Sequence, residues 1–574
     1  MEDATSQTIS LLWPGESANA AAKVPLLRHD RAVIDLGLDG LAGWLSIEPR
    51  YNEATKTILA TLCDQPDVIT YRLDVLDDFL NCPGLDAALE AQLPALAQLG
   101  YIGDAHRPME TQLHQAVSRL GELELYVVCV RQFRQLLVAA GDALRSTGLR
   151  RLRDVLVARE ADPSFQALAA ELPTLGAEVR NIRSVTIGIN LDPQLLPMEA
   201  TLLSISAQRF KGPSASLLGK LLGVGHDEYQ GIAPLHSVPA ASSGSGIPTH
   251  NGQGVNPLLV PLFKDLNDVL ESVAKPLLKV LTRYIKHNGQ FLTTLEAQIA
   301  FYLGAARLIK QLRAVGLPMC RPDVAPVDER VCAVKDAYNF NLALRLLDRH
   351  PRADLSRQVI TNDVEHGSHG RVFILTGPNQ GGKTTYTQSV GLLQVLCQAG
   401  LYVPGSQARI SPVDAIFTHF PVEERPSLEA GRLGEEVKRL GDIFTRATRH
   451  SLVLLNESLS STSPGEGLYL ARDVVRALKL LGTRVIFATH LHDLAVDLDT
   501  FNTAHPGDAI VVSLVARSVQ EASSGVQARR TYKIQPGPPE GLSFARDIAT
   551  RYGLSFEQLE KALQERNAIP PRVA

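Results

Sequence analysis

The sequence predicts an α/β domain with a largely parallel sheet in its C-terminal part, preceded by a mostly α-helical region that contains a small β-containing insert. Beyond Pro351, short apolar runs alternate with helix-like stretches, which is the pattern of α/β domains. Upstream, apolar residues recur at helical spacing with few Gly or Pro residues. The chain has 574 residues. At roughly 100–200 residues per domain, this length leaves room for about three to five domains.

Composition excludes several classes of protein. Lys plus Arg number 57 and Asp plus Glu number 61, so the net charge of −4 excludes a histone-like polycation and an acidic tail protein. Any contact with nucleic acid must therefore come from local basic patches. Hydrophobic residues make up 45% of the chain and charged residues 21%, which excludes disorder as the main state.

The cysteines and the N-terminus predict a soluble, cytoplasmic protein. The six cysteines stand singly, without CxxC pairs or His-rich neighbours, so neither a zinc site nor a disulfide framework is indicated. We expect reduced thiols that are mostly buried. No apolar run approaches the ~18–20 residues of a membrane span, and the start MEDATSQTIS carries acids where a signal peptide needs basic residues.

The N-terminal part divides into a polar leader, residues 1–31, and a helical region, residues 32–350. Long helices are predicted from stretches such as ITYRLDVLDDFL and LYVVCVRQFRQLLVAA. β-Branched residues then alternate, and a turn at Leu191-Asp192-Pro193 favours a small β-containing insert within about residues 160–260. Residues 234–257 are rich in Gly, Ser and Pro and predict a connecting loop. Helix is expected to resume after this loop, as far as His350.

The C-terminal part, residues 351–574, contains four predicted strands, at residues 371–376, 451–456, 483–489 and 509–515. Each of the first three ends in polar residues. Ligands of open parallel sheets bind at the carboxyl ends of the strands. The sequence therefore predicts a ligand site at that edge.

The first of these strands leads directly into a phosphate-binding motif. The sequence GPNQGGKT matches GxxxxGK[ST] between the apolar strand RVFILT and a helix-like stretch, which is the context of a P-loop NTPase. Its glycines allow backbone N–H groups to surround phosphate oxygens, Lys383 reaches the β- and γ-phosphates, and Thr384 can bind Mg²⁺. The predicted nucleotide-binding residues are Gly377, Pro378, Asn379, Gln380, Gly381, Gly382, Lys383, Thr384 and Thr385. The alternative is a Gly-rich turn with a solvated lysine.

The second strand ends in Asn456 and Glu457, which predicts a metal and hydrolysis site. The residue at this strand end is normally an Asp that holds Mg²⁺, and the following Glu polarises the attacking water. Asn456 keeps the oxygen but lacks the charge, so metal affinity should be lower. We predict Thr384, Asn456 and Glu457 as metal-site residues, with Glu457 as general base. Alternatively, Glu457 only caps the following segment and hydrolysis is slow or absent.

The third strand ends in Thr489 and His490, and a histidine at this point can contact the γ-phosphate. We predict His490 as a catalytic residue together with Lys383 and Glu457; the alternative is a hydrogen-bonded core histidine. Between the second and third strands, residues 458–467 read SLSSTSPGEG and are too polar for a core. This segment suits a loop at a subunit interface that encloses nucleotide.

Five blocks of the sequence resemble the ATPase domain of the MutS family of DNA mismatch repair proteins, in the family's order. They are ILTGPNQGGKTTY, GLYVPGSQARISPVDAIFT, LVLLNESLSSTS, VIFATHLHDL and YKIQPGPPEGLSFARDIATRYGL. Residues 49–85 are similar to the start of the family's helical core. The resemblance implies an ABC-type ATPase domain, core and lever helices with a clamp insert, and two composite ATP sites across a homodimer. It also implies ATP and Mg²⁺ as cofactors, DNA and other repair proteins as partners, and association with the nucleoid in a bacterium.

Carried over position by position, the resemblance supports the same site residues. The phosphate loop matches at Gly377, Asn379, Gly381, Gly382, Lys383 and Thr384. Glu457 matches the family's catalytic acid and His490 its switch histidine. Asn456 replaces the magnesium-holding Asp. Gly431 replaces the Ser that reaches the γ-phosphate across the dimer, a role that Arg432 or Ser427 could take, and Val359 lies near the position of the adenine-stacking Phe.

The resemblance leaves the form of DNA recognition open. No Phe is followed two positions later by Glu, so the family's mismatch-reading wedge is not expected, and neither is an added nuclease-like domain. Duplex or branched DNA could still be bound by shape and phosphate contacts. The best basic cluster comprises Arg145, Arg150, Arg151 and Arg153, with Arg209, Lys211 and Lys220 near the clamp insert. The alternative is a solvated helix face.

The expected activity is therefore Mg²⁺-dependent ATP hydrolysis that drives DNA binding or clamping in mismatch repair or recombination. Asn456 and Gly431 motivate an alternative, a nucleotide-gated dimerisation or scaffold protein with little turnover. A chromosome-organising ATPase closer to SMC proteins is a third reading, although no long heptad coiled coil is visible in the sequence.

Overall fold

The computed structural model describes residues 9–15, 31–104, 112–180, 184–194, 197–206, 208, 279–281, 290–421, 432–496, 498–504, 507–519, 529–539 and 553–566. The predicted connecting loop at residues 234–257 lies outside the described residues, as do Arg209, Lys211, Lys220 and most of the leader. In the described parts, no helix is long and apolar enough to cross a membrane.

The described α-helices account for most of the described residues before residue 314 and recur between the later strands. In chain order they are α1 (Arg31–Asp35), α2 (Leu38–Leu45), α3 (Asn52–Ala60), α4 (Pro66–Asn81), α5 (Leu85–Glu90), α6 (Leu93–Asp104), α7 (Gln112–Ala140), α8 (Thr147–Ala161), α9 (Pro163–Arg180), α10 (Gln290–Ala314), α11 (Phe340–Arg349), α12 (Lys383–Gln398), α13 (Arg432–Arg446), α14 (Pro464–Leu481), α15 (Leu498–Ala504) and α16 (Phe556–Glu565).

The strands lie mainly after residue 318. They are β1 (Ser184–Leu191), β2 (Pro197–Ser206), β3 (Met319–Cys320), β4 (Asp323–Val324), β5 (Cys332–Ala337), β6 (Asn362–His366), β7 (Val372–Thr376), β8 (Val403–Pro404), β9 (Gln407–Ile410), β10 (Ile416–His419), β11 (Leu452–Asn456), β12 (Arg484–Ala488), β13 (Val511–Val519) and β14 (Arg529–Pro536).

The chain forms two compact units, which are described separately. The first comprises residues Met1–Leu93, Leu136–Leu152 and Thr294–Ala574, and the second Pro94–Gln135 and Arg153–Thr293. The second unit contains the predicted β structure, because β1 and β2 pair antiparallel there. In the same unit the ring of Tyr126 meets Phe165 edge-on, with the ring centroids 5.9 Å apart.

The first unit is built on a six-stranded sheet in the order β10-β11-β12-β7-β13-β14. All neighbouring pairs are parallel except β13 and β14. The strands predicted at residues 371–376, 451–456 and 483–489 are confirmed as β7, β11 and β12. The strand predicted at residues 509–515 is β13, which continues to Val519 and pairs with β14. The sequence analysis predicted neither β10 nor β14.

Burial on both faces explains why the central strands are continuous apolar runs. Every residue of β7, β11 and β12 is buried, as expected for parallel strands covered by helices on both sides. Val453 and Leu455 point to a core shared with α13 and α14. Leu454 points to the other face, where its Cδ1 lies 2.8 Å from an ideal Cβ at Gly391 of α12. The six-stranded sheet therefore lies between α12 on one face and α13 and α14 on the other.

The prediction of helix as far as His350 is wrong between residues 319 and 337. This stretch forms β3, β4 and β5, and β4 and β5 join a four-stranded sheet in the order β4-β9-β5-β6. Pro318, Pro322 and Pro326 interrupt any helix there, because proline removes a helical hydrogen bond and disfavours helix at the residue before it. The strands before and after Pro351 thus share one sheet.

Residues 9–15 of the predicted leader pack into the first unit through Arg72. The guanidinium of Arg72 is 1% exposed. Its Nε donates to the carbonyl of Leu12 at 2.9 Å and its Nη1 to the carbonyl of Gln398 at 3.1 Å. The ring of Trp13 lies 4.5 Å from the guanidinium carbon. One buried cation therefore joins the leader, α4 and the end of α12.

The cysteines are free and mostly buried, as predicted. Cys63, Cys82, Cys129, Cys332 and Cys397 are buried, and Cys320 is half-buried. Burial raises the pKa of Cys129, Cys320 and Cys332 to about 11, so these thiols stay protonated near neutral pH.

Candidate functional site

The predicted phosphate loop connects β7 to α12 with a backbone that only small residues can follow. Gly377 has φ 136° and Gly382 has φ 93°, both in the region that favours glycine. A Cβ at Gly377 would lie 2.7 Å from the Cβ of Ala516, and one at Gly381 would lie 2.9 Å from the carbonyl oxygen of Pro378. Glycine is therefore favoured at Gly377 by both conformation and close packing, at Gly381 by close packing and at Gly382 by conformation.

Lys383 is enclosed by the loop that precedes it. The side chain is 4% exposed, and its Nζ donates to the carbonyls of Gly377 at 3.1 Å and Pro378 at 3.2 Å. Burial lowers the pKa of Lys383 to about 8, and the nearby carboxylate of Glu457 acts in the opposite direction. The lysine therefore holds its positive charge within the turn of the loop at neutral pH.

The first turn of α12 meets the end of β11 through two side-chain oxygens. The hydroxyl of Thr384 donates to Oδ1 of Asn456 at 3.0 Å. Mg²⁺ prefers oxygen ligands, and it usually retains waters and binds phosphate oxygens beside one or two protein ligands. Thr384 and Asn456 supply two neutral oxygens, and Glu457 follows with a carboxylate. These three predicted metal-site residues therefore fit a magnesium ion that is held largely by nucleotide phosphate and water.

Glu457 and His490 lie at the carboxyl ends of two adjacent strands. Asn456 pairs with Ala488 in the register of β11 and β12, so the residues just beyond the strands emerge side by side. Nε2 of His490 lies 2.9 Å from Oε1 of Glu457. The hydrogen bond from His490 lowers the pKa of Glu457, and the charges of His490 and Lys383 add to the effect. Glu457 is therefore ionised at neutral pH.

The backbone at Glu457 is unusual for a residue with a side chain. Its φ is 52°, and Leu459 two positions later has φ 64°. Both lie in the left-handed region, which is disfavoured outside glycine and occurs often at functional sites. The amide of Glu457 donates to the carbonyl of Ala488 at 2.8 Å. This contact ties the turn to the neighbouring strand β12.

A cavity of about 500 Å³ opens beside the phosphate loop. Its lining brings together loop residues, Glu457 and a set that the sequence analysis missed. The lining residues are Ala337, Tyr338, Asn339, Leu342, Gln358, Ile360, Asn362, Gln380, Gly381, Gly382, Lys383, Thr384, Thr385, Tyr386, Ser389, Glu457 and Tyr532. Gly377, Pro378, Asn379, Asn456 and His490 belong to the same loop and strand ends but do not line this cavity.

Tyr532 on β14 is the least expected of the lining residues. Its φ is 56°, and its Cδ1 lies 3.5 Å from an ideal Cβ at Gly382. Asn362 holds this strand, because its Nδ2 donates to the carbonyl of Tyr532 at 3.1 Å and its Oδ1 accepts from the amide of Ile534 at 2.7 Å. Val359, which lies near the position of the family's adenine-stacking Phe, is buried and does not line the cavity. Tyr532 is the first residue of the block YKIQPGPPEGLSFARDIATRYGL that resembles the family, but no role was predicted for it.

The predicted cross-dimer residues are only partly described. Gly431 and Ser427 lie outside the described residues, and Arg432 is the first residue of α13. Of the predicted basic cluster, Arg150 donates from Nε to the carbonyl of Leu144 at 2.7 Å, and Arg153 forms an ion pair with Asp154 at 2.9 Å. The cluster is therefore partly engaged in local contacts.

Two family models match this sequence in consecutive parts. Residues 373–565 match the model for MutS domain V, and residues 64–315 match that for the MutS2 N-terminal domain. The first match contains β7 from Phe373 onward, the whole phosphate loop, Glu457, His490 and Tyr532. The second begins within the segment 49–85 that resembles a helical core.

Curated relatives carry related names. The chain is 33% identical over 291 residues to the endonuclease MutS2 of Thermomicrobium roseum, covering 50% of this chain and 34% of that protein. It is 32% identical over 222 residues to the DNA mismatch repair protein MutS of Chlorobaculum tepidum, covering 37% and 25%. It is 27% identical over 458 residues to the endonuclease MutS2 of Geobacillus thermodenitrificans, covering 75% and 52%. The chain thus spans about half or less of each relative's length.

Proposed function

This chain belongs to the MutS family, and we propose that it is an ATPase that binds and hydrolyses MgATP at the cavity beside the phosphate loop. The observation that carries the proposal is that Lys383, Glu457 and His490 meet beside the phosphate loop. Lys383 is enclosed by the loop, and Glu457 lines the same cavity while its carboxylate contacts His490 at 2.9 Å. A positive phosphate-binding group and an ionised acid at one edge of a sheet are the parts that phosphoryl transfer to water requires.

The loop and Lys383 would bind the triphosphate. Backbone N–H groups of the loop and of the first turn of α12 would face phosphate oxygens, with the favourable charge of the helix N-terminus behind them. Lys383 would exchange its contacts with the carbonyls of Gly377 and Pro378 for the β- and γ-phosphates. The charge that develops on the transferred phosphoryl group would be stabilised by groups already in place.

Thr384 and Asn456 would hold Mg²⁺ together with phosphate oxygens and water. The ion supplies neutralisation of phosphate charge. Glu457 would accept a hydrogen bond from the attacking water and orient it toward the γ-phosphate, because its lowered pKa keeps it ionised. His490 would hold the Glu457 carboxylate in place and contact the γ-phosphate from the adjacent strand.

The nucleoside end would lie among the residues found only in the structure. Tyr338, Leu342, Ile360 and Tyr532 give the cavity apolar and aromatic walls. Tyr532 carries the largest exposed ring of this group and would stack on the base. This arrangement would supply the base contact that the resemblance placed near Val359.

We further propose that the ATPase is of the ABC type and acts as a homodimer that uses ATP to hold duplex or branched DNA in mismatch repair or recombination. The printed names of the relatives, DNA mismatch repair protein and endonuclease, support DNA as the partner class. The core and lever region at residues 32–350, the clamp insert and the ATPase domain at residues 351–574 belong to this proposal. No nuclease activity is proposed.

A nucleotide-gated scaffold is the second candidate. Asn456 favours it, because a neutral amide attracts Mg²⁺ less strongly than a carboxylate. In such a protein, ATP would close the dimer and turnover would be incidental. Glu457→Gln separates the two functions, since a hydrolase should lose turnover and accumulate an ATP-bound dimer, whereas a scaffold should behave as the wild type does.

The test of the main proposal is steady-state ATP hydrolysis by the purified protein with Mg²⁺, alone and with duplex, mismatched and four-way-junction DNA. Lys383→Ala serves as the blank. Turnover that requires Lys383 and changes with one form of DNA supports a DNA-coupled ATPase. Tight nucleotide binding without turnover, unaffected by every DNA, would overturn hydrolysis and leave the scaffold.

A further inference from the structure

The turn that carries Glu457 has a buried anchor on the side away from the cavity. Ser458 lies between the two left-handed residues Glu457 and Leu459 and is 3% exposed. Leu459 is 2% exposed and packs into the core under the sheet. Left-handed conformations of residues with side chains persist only where surrounding contacts fix them. The contacts of Ser458 therefore help to fix the backbone conformation of Glu457.

Ser458 is held by His419, the last residue of the neighbouring strand β10. Nδ1 of His419 lies 2.7 Å from the Ser458 hydroxyl, and that hydroxyl also donates to the carbonyl of His419 at 3.3 Å. His419 is 2% exposed. Burial lowers the pKa of His419 to about 4, so the ring is neutral at neutral pH. The Ser458 hydroxyl and Nδ1 of His419 thus pair with each other in a site closed to water.

The end of β10 is itself fixed from two sides. The hydroxyl of Thr418 donates to Oδ2 of Asp35 in α1 at 2.7 Å. Nη2 of Arg439 in α13 donates to the carbonyl of Phe420 at 3.3 Å. His419 lies between these two anchored residues. It can therefore act as a rigid support for Ser458.

Helix α13 forms a hydrogen bond to the same turn three residues after Ser458. The hydroxyl of Ser461 donates to Oε2 of Glu436 at 2.6 Å. The turn after β11 is therefore connected to β10 through Ser458 and to α13 through Ser461. Glu457 begins this turn and projects toward Lys383 and His490.

We propose that His419 and Ser458 are positioning residues, which hold the strained backbone that directs the Glu457 carboxylate at His490 and the cavity. The inference rests on the proposed function, because Glu457 is assigned there as the group that orients water. Loss of either partner would let Glu457 relax toward an ordinary backbone conformation. Since small displacements of a catalytic group cost up to ~100-fold in rate, turnover should fall while nucleotide binding by the loop stays intact.

The test compares Ser458→Ala, His419→Leu and His419→Asn with a matched control. His419→Asn retains a side-chain N–H near the position of Nδ1 and should rescue function. The control is Thr483→Val, which removes an equally buried hydroxyl. This hydroxyl donates to the carbonyl of Ser451 at 2.6 Å and lies at the amino ends of β11 and β12, whereas Glu457 lies at their carboxyl ends. The readouts are kcat and KM for ATP, and hydrogen exchange at the amide of Glu457, which is bonded to Ala488.

We expect Ser458→Ala and His419→Leu to lower kcat by about tenfold or more with KM within about twofold, and to speed exchange at Glu457. His419→Asn and Thr483→Val should stay near the wild type in both readouts. A Ser458→Ala protein with unchanged kcat and unchanged exchange would overturn the proposal. An equal loss in Thr483→Val would also overturn it, because the effect would then be one of general stability.

Failure of the proposed function is recognised separately. If the wild type shows no turnover beyond the Lys383→Ala blank, hydrolysis is excluded and the exchange measurement alone decides the role of the pair. Faster exchange at Glu457 in Ser458→Ala, but not in Thr483→Val, supports a positioning role for the turn. Equal exchange in the two variants excludes it.

Discussion

The hydroxyl of Thr384 donates to the amide oxygen of Asn456 across 3.0 Å, joining the phosphate-loop helix to the end of β11. An aspartate at this point would offer a negative oxygen in the same place and would still accept the hydrogen bond. The neutral amide therefore weakens attraction for a divalent cation without disturbing the contact. At Asn456, the Mg²⁺ affinity of the proposed site can therefore be changed while the hydrogen bond from Thr384 is kept.

Asn456→Asp should lower the Mg²⁺ concentration needed for half-maximal ATP hydrolysis by about tenfold, since a charged ligand replaces a neutral one beside the phosphates. The measurement is ATPase rate against free Mg²⁺ at saturating ATP. Asn456→Ala is the control and should raise the requirement, because Thr384 loses its partner. An Asn456→Asp protein with the wild-type magnesium requirement would show that this residue does not face the ion.

His490 should set the acid limb of the pH profile of kcat. In the proposed mechanism ionised Glu457 is the active form, and the hydrogen bond from His490 is the largest cause of its lowered pKa. Activity should therefore persist to a pH below the usual carboxyl range and fall only as Glu457 becomes protonated. His490→Ala should move the acid limb to higher pH, whereas His490→Gln, which retains a donor, should move it less. Identical limbs in the three proteins would argue against the pairing.

Lys383 should make nucleotide affinity fall in alkaline solution. The pKa of its ammonium group is lowered to about 8 by burial, and phosphate binds the protonated form. Affinity should be full below this pKa and should fall by up to tenfold per pH unit as the pH rises through it. Binding of ATP measured by calorimetry on either side of pH 8 tests the slope. Lys383→Arg should show a flat profile in this range, whatever its absolute affinity, because the guanidinium stays charged.

Two glycine-to-alanine changes should act in opposite directions on the stability of the first unit. A Cβ at Gly304, inside α10, would lie 1.7 Å from the carbonyl oxygen of Leu45. Gly304→Ala should therefore destabilise the protein by about 3 kcal/mol. Nothing lies within 4 Å of a Cβ at Gly441 in α13, so Gly441→Ala should stabilise it by about 0.5–1 kcal/mol through helix propensity. Thermal unfolding midpoints of both variants against the wild type provide the comparison.

Local sequence was sufficient where a feature depends on neighbours along the chain. The phosphate loop follows from the glycine spacing before Lys383, and β7, β11 and β12 follow from short apolar runs bounded by polar residues. Their parallel order also places Glu457 beside His490, because consecutive strand ends meet at one edge. These parts of the site therefore needed no tertiary information.

The remaining parts depend on pairing between distant residues. Tyr532 reaches the phosphate loop only because β14 pairs with β13 and Asn362 holds its backbone. The anchor of Ser458 requires His419, 39 positions earlier, and β10 is too short to be recognised as a strand. The short strands between Pro318 and Ala337 likewise exist because β8 and β9, far along the chain, supply their partners, β8 for β3 and β9 for β4 and β5. The spacing of apolar residues within one segment does not show which distant segment will pair with it.

The enclosure of Arg72 has a consequence for the order in which the molecule assembles. Its guanidinium binds carbonyls of residues 60 positions before it and 326 positions after it. During synthesis, Arg72 is made 60 residues after Leu12, whereas Gln398 is made 326 residues after Arg72. A cation without its partners is costly to remove from water, so Arg72 should stay hydrated until the phosphate-loop helix arrives. Burial of Arg72 between the leader and the end of α12 is therefore expected to follow completion of α12.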